Sequence, residues 1–199
     1  MFAIAFGVAF VLTWMFGYKD EVQETAEKNI EAEKKSDAPA EIAQEKTSET
    51  GAQTLYSPLE GTAIPLSEVK DATFASEVLG RGMAVIPSKG EVKAPCDATV
   101  STIFDTKHAI GLATESGLEL LIHIGVDTVE LGGKFYTAHV KDGDVVKKGQ
   151  TLITFDMDAI KAAGYDVTTP LIVTNSDDYK DVKLLKEGVT ASGDKVLEI

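Results

Sequence analysis

The stretch KHAIGLATESGLELLIHIGVD, residues 107–127, reads as two apolar strands folded back on each other around Glu115, Ser116 and Gly117. Both halves are rich in Ile and Leu, and the short polar segment between them is turn chemistry. With Glu115 and Ser116 as a two-residue loop, Thr114 faces Gly117 and, counting outward, His108 faces His123. Directly opposed residues share a sheet face with Cβ atoms about 4.5–5.5 Å apart. This register therefore predicts two imidazoles side by side. A lone histidine in an apolar strand is ordinarily a packed, hydrogen-bonded residue. Two in register, in a chain with only three histidines, point to a site.

Adjacent imidazoles suit two chemistries. They can ligate a metal, or one can act as nucleophile while the other hydrogen-bonds the developing product. Phosphoryl transfer needs an unprotonated nitrogen, in-line access and donors on the phosphoryl oxygens. Around His123, Gly125 allows close approach of another backbone, and Asp127 is near enough to line the same site. Thr106, two residues before His108, is placed to orient that ring. The third histidine, His139, has no such neighbour and reads as structural. Cys96, in Ala-Pro-Cys-Asp-Ala, reads as an inert small residue.

Working outward, short apolar runs separated by turn signals fill residues 55–199: LGRGMAVIPSKGEV, APCDATVSTIF, VKDGDVVKKGQTLITF and PLIVTN. This spacing predicts an all-β fold, a sandwich or barrel-like domain, with apolar strands buried on both sides. One short helix is expected over Asp156–Ala163, capped by Asp156 or Asp158 and ended by Gly164.

The start of the chain differs. Phe2–Tyr18, FAIAFGVAFVLTWMFGY, carries no charge. As a helix it would span about 26 Å, a little under the ~30 Å hydrocarbon core of a bilayer. Trp14 and Tyr18 sit near its end, where aromatic anchors prefer the interface. No Lys or Arg precedes the run and no A-x-A site follows it, against a signal peptide. Residues 1–18 are therefore read as a transmembrane-like helix. Residues 19–54, rich in Glu, Lys, Ala, Thr and Ser and poor in aromatics, read as a flexible charged linker.

The net charge of −13 argues against nucleic acid as a partner, since phosphate backbones need Lys/Arg footprints. A partner with a basic patch remains compatible. A single cysteine excludes an internal disulfide and a Cys-x-x-Cys zinc site.

Leu121-Ile122-His123-Ile124-Gly125-Val126-Asp127-Thr128-Val129 closely resembles the active-site signature of the glucose-type enzyme IIA domain of the bacterial sugar phosphotransferase system. Further resemblances lie in Gly80-Arg81-Gly82-Met83-Ala84-Val85, Ala94-Pro95-Cys96-Asp97, Thr106-Lys107-His108-Ala109, Gly143-Asp144-Val145-Val146 and Thr169-Pro170. The resemblance implies an antiparallel β-sandwich. It implies that His123 takes a phosphoryl group from the histidine-containing phosphocarrier protein and passes it to an enzyme IIB cysteine, coupled to sugar uptake. In the same scheme His108 hydrogen-bonds the phosphoryl group and Thr106 belongs to that network. Asp71 and Asp127 are the acidic pair flanking the site, and Phe74 belongs to the apolar docking rim. No cofactor is required, although His108 and His123 could take an incidental zinc ion. The helix and linker resemble the end of a membrane permease (enzyme IIC) domain, which would put the IIA domain on the cytoplasmic side of the cell membrane. The Cys-x-Thr-Arg-type motif of a IIB domain is absent: Cys96-Asp97-Ala98-Thr99 does not match it.

Two other functions compete. His123-x-Gly125-x-Asp127 also fits the H-x-G-x-D motif of zinc-dependent cell-wall peptidases. Such a site needs three protein ligands, and the second H-x-H element of that family is absent, since His139 lies between Ala138 and Val140. VKDGDVVKKGQTL resembles a lipoyl- or biotin-carrier hairpin, without the Met-Lys or Asp-Lys-Ala setting of its acceptor lysine. A purely regulatory binding module is a further alternative.

Overall fold

The computed structural model describes residues 53–199. The expected transmembrane-like helix and nearly all of the expected linker lie outside the described residues. Thr54 already belongs to the first strand.

Every paired strand is antiparallel. The first strands are β1 (Thr54–Tyr56), β2 (Gly61–Pro65), β3 (Arg81–Pro87), β4 (Glu91–Lys93) and β5 (Ala98–Ile103). The central hairpin is β6 (Ala109–Ala113) and β7 (Glu119–His123). There follow β8 (Tyr136–Ala138), β9 (Val145–Val146), β10 (Thr151–Phe155), β11 (Thr169–Val173), β12 (Lys183–Leu184), β13 (Gly188–Thr190) and β14 (Lys195–Glu198). Eight of these form one sheet in the order β13-β2-β3-β11-β7-β6-β5-β9, and the others form two three-stranded sheets, β4-β10-β8 and β1-β14-β12. The all-β, antiparallel expectation therefore holds.

Register explains the core. Ile110, Ile122, Leu171 and Met83 stand opposite one another across β6, β7, β11 and β3, and all four are fully buried. Each such side chain contributes roughly 1.5–3 kcal/mol on leaving water. Leu55, Val92, Ile153 and Leu197 from the smaller sheets join the same apolar cluster. β11 is buried at every residue, which is why PLIVTN shows no polar alternation.

Two short helices interrupt the strands. α1 (Ala72–Ala75) starts at Asp71, whose carboxylate accepts from the N–H groups of Thr73 and Phe74 at 2.9 and 3.1 Å. α2 (Met157–Ala162) matches the expected helix. Asp156 caps it by accepting from the Ala159 N–H at 3.0 Å, and Gly164 follows at φ +95.

The hairpin register is a correction. Ala109, not His108, faces His123, and Ala113 faces Glu119. The loop is one residue longer than a two-residue turn. Thr114 and Leu118 close it: Thr114 N–H donates to the Leu118 carbonyl at 2.9 Å, and Leu118 N–H donates to Thr114 Oγ1 at 3.0 Å. Gly117 supplies the positive φ, +90, that a three-residue hairpin loop requires.

Candidate functional site

The two histidines meet despite the shifted register. His108 lies just ahead of β6 and follows Lys107, whose φ is +56. Strand alternation therefore does not govern where its ring points. The rings of His108 and His123 sit edge to face, with centroids 4.7 Å apart. Their backbones are tied as well, the Ile124 N–H donating to the His108 carbonyl at 2.6 Å.

Aromatic rings wall both flanks. Phe74 lies 5.0 Å from the His123 ring, and Phe104 lies 5.4 Å from the His108 ring. Both histidines are buried. Burial disfavours the imidazolium and pushes His123 down to about 4; its bond to Gly125 and the charges of Asp71 and Asp127 only partly offset this. Burial, and then the neighbouring His123, pushes His108 down to about 3. Both rings are neutral at pH 7.

Hydrogen bonds distinguish their nitrogens. His123 Nδ1 donates to the Gly125 carbonyl at 2.8 Å. Its proton is thus held on Nδ1, and Nε2 keeps its lone pair, the requirement for a nucleophile. His108 Nδ1 meets Thr106 Oγ1 at 2.5 Å. The Thr106 contact anticipated from the two-residue spacing is therefore present, although Thr106 sits in a turn and not on a strand.

Gly125 is needed where it stands. Its φ is +82, and a Cβ there would lie 2.4 Å from Thr128 Cγ2 and 2.6 Å from the Asp166 carbonyl oxygen. The Val126 N–H donates to that same carbonyl at 3.0 Å. The expected close backbone approach is the strand-leading segment at Asp166.

The remaining candidates fall as follows. Asp71 is half-buried and serves as the α1 cap, fixing the helix that carries Phe74. Asp127 is exposed in left-handed backbone at the start of a 3-10 turn over Thr128–Leu131. His139 is apart from the pair, exposed and 2.9 Å from Thr154 Oγ1. Burial and Asp97 push the Cys96 thiol up to about 11, in keeping with an inert residue. Sequence reasoning missed Phe104, Thr128, Tyr136 and Asp166. Phe104, four residues before His108 at the end of an apolar run, was the one of these with a signal.

A zinc peptidase would need a third ligand beside the pair. Among the described residues no group of three or more His, Cys, Asp or Glu is arranged to hold a metal.

A family model described as phosphoenolpyruvate-dependent sugar phosphotransferase system, EIIA 1, matches residues 53–179. The chain belongs to this family. It is 47% identical over 189 residues to the PTS system beta-glucoside-specific EIIBCA component of Dickeya chrysanthemi, covering 93% of this chain and 28% of that protein. Against the PTS system glucose-specific EIIA component of Oceanobacillus iheyensis it is 46% identical over 147 residues, covering 73% of this chain and 89% of that protein. Glucose permease IIA from Mycoplasma capricolum superposes with a TM-score of 0.70 at 36% identity, covering 74% of this chain and 96% of that structure. The chain spans about a quarter of the length of the beta-glucoside relatives it matches. These similarities assign the domain to the glucose-type EIIA phosphotransferases, over the peptidase alternative.

Proposed function

We propose that this EIIA domain accepts a phosphoryl group on His123 Nε2 and hands it on in a relay that drives sugar uptake. The observation that carries the proposal is the bond from His123 Nδ1 to the Gly125 carbonyl, which leaves Nε2 unprotonated in a neutral ring. The donor is a histidine-containing phosphocarrier protein. The N–P bond of its phosphohistidine breaks as the Nε2–P bond forms, and the donor imidazole departs with the electron pair of the broken bond. In the second step the Nε2–P bond breaks and a IIB cysteine takes the phosphoryl group as an S–P bond.

His108 is the electrostatic partner. In this reading Thr106 Oγ1 donates to its Nδ1, so that the His108 proton sits on Nε2, in position to donate to a phosphoryl oxygen as negative charge gathers there. No metal is assigned to either step. Phe74, on the helix that Asp71 caps, and Asp127 form the docking rim, which an acidic chain would present to a basic face of the donor.

Support for the wider assembly comes from the names of relatives, EIIBCA among them. We place a IIB domain and a membrane permease as partners, with the IIA domain on the cytoplasmic side. The test is incubation of the full chain with phosphoenolpyruvate, the upstream kinase and the phosphocarrier, followed by mapping of acid-labile phosphate. Label on His123, lost in His123→Ala, is expected. Label elsewhere, or none, sinks the reading.

A further inference from the structure

Three consecutive peptide groups after His123 are each held by a different partner. The Ile124 N–H is bound by the His108 carbonyl at 2.6 Å, and the Val126 N–H by the Asp166 carbonyl at 3.0 Å. Between them, the Ile124 carbonyl accepts from Thr128 Oγ1 at 2.6 Å and from the Tyr136 hydroxyl at 3.3 Å. Thr128 is fully buried and Tyr136 nearly so. Thr128 also crowds Gly125, its Cγ2 standing 2.4 Å from where a Cβ would be.

The middle restraint matters because of the peptide next to it. The Ile124–Gly125 peptide is joined to the Gly125–Val126 peptide through a glycine, the residue with the softest backbone. The carbonyl that fixes the His123 proton belongs to that second peptide. A free histidine side chain prefers its proton on Nε2, the nitrogen that must here stay bare. The Gly125 carbonyl overrides that preference only while it points at Nδ1.

We propose that Thr128, assisted by Tyr136, is a positioning residue that sets the tautomer of His123 by locking the Ile124–Gly125 peptide. Neither hydroxyl touches the reacting nitrogen. Both hold the loop that aims the Gly125 carbonyl. The consequence for phosphoryl transfer rests on the function proposed above, whereas the tautomer does not.

The test uses the full chain with 15N-labelled histidine, whose three imidazoles are resolvable by NMR. In the parent chain His123 should show a protonated Nδ1 and a bare Nε2. Thr128→Val keeps the shape and removes the hydroxyl. It should shift His123 toward the Nε2-protonated form and lower the maximal rate of phosphate acceptance about ten-fold, the size of a lost buried hydrogen bond, with KM for the phosphocarrier unchanged. Thr128→Ser keeps the hydroxyl and should restore both readouts. Tyr136→Phe should show a smaller shift, and the double variant Thr128→Val/Tyr136→Phe a larger one. A folded Thr128→Val chain with the parental tautomer overturns the proposal, as does a loss of stability without a tautomer change. Should the parent chain accept no phosphate, the functional reading fails while the NMR arm still decides the role of Thr128. Should Thr128→Val not fold, Thr128→Ser and Tyr136→Phe carry the same comparison, and parental spectra from both with no shift in Tyr136→Phe overturn it.

Discussion

The His108 and His123 rings meet nearly at right angles, 79° apart in plane with centroids at 4.7 Å. One nitrogen of each ring is tied back into the protein, Nδ1 in both cases. The division of labour proposed for the pair follows from that pattern.

His108→Gln should separate acceptance from onward transfer. Glutamine can still donate to a phosphoryl oxygen, but without the ring fixed by Thr106. Acceptance by His123 should persist, and transfer to the IIB cysteine should slow by ten-fold or more, in line with the roughly 10²–10³ attached to a well-placed oxyanion donor. Rapid-quench measurement of the two half-reactions checks this. Equal losses in both would contradict the assignment.

The depressed pKa values make stability depend on pH with a definite sign. In the unfolded chain a histidine binds its proton near 6.5; in the fold His123 does so near 4 and His108 near 3. The unfolded state therefore holds more protons between those limits, so stability is intact above pH 6.5 and falls as the pH drops through that window. Each histidine should contribute about 1.4 kcal/mol per pH unit once well below 6.5. Urea unfolding of the parent and of His108→Gln/His123→Gln from pH 7 to 4.5 should give curves that diverge toward acid, the double variant being the flatter. Parallel curves would show that the rings are not buried neutral.

Gly125→Ala should be far worse than Gly143→Ala, although both glycines have φ near +83. At Gly143 an added Cβ meets nothing within 4 Å, so the expected cost is the backbone penalty alone, about 1–2 kcal/mol. At Gly125 the methyl collides with Thr128 and with Asp166 backbone, which should cost about 3 kcal/mol or more and displace the carbonyl that holds the His123 proton. Thermal unfolding and phosphate acceptance together check the pair. Equal stability losses would refute the packing argument.

Asp71 holds a cap and a charge, and two substitutions separate them. Asp71→Ala removes the acceptor for Thr73 and Phe74 N–H and should cost about 1 kcal/mol while loosening Phe74 beside His123. Asp71→Asn can still cap, so its stability should stay near parental while KM for a basic phosphocarrier rises, more at low salt than at high. Salt-independent behaviour in Asp71→Asn would remove the docking role.

How far the sequence could be read shows best at particular residues. The apolar runs marked the strands because β6, β7 and β11 are buried on both faces, and Asp156 and Gly164 bracketed α2 by ordinary cap chemistry. The His123 motif marked the site. The register slipped by one because Glu115-Ser116-Gly117 was divided after Ser116. A glycine in the last position is the mark of a three-residue loop, with its positive φ at that position. The two histidines meet all the same because Lys107, in left-handed backbone, breaks the alternation on which the register argument depended. α1 is only four residues long, too short to leave a periodic pattern. The grip of Thr128 and Tyr136 on the Ile124 carbonyl joins residues 4 and 12 positions away around a glycine turn, and no local pattern announces it.

Pairing of β1 with β14 has a topological consequence. Gln53 and Ile199 exchange both backbone hydrogen bonds, at 3.1 and 2.8 Å, so the ends of the folded unit lie side by side. A short Gly/Ser bridge could join them, and the exposed turn at Asp142–Gly143 is a natural place to cut the chain anew. Such a circular permutant should keep the His108–His123 pair, because every strand that carries it would remain in the same sheet. The domain is, in this sense, a ring of chain whose starting point is arbitrary.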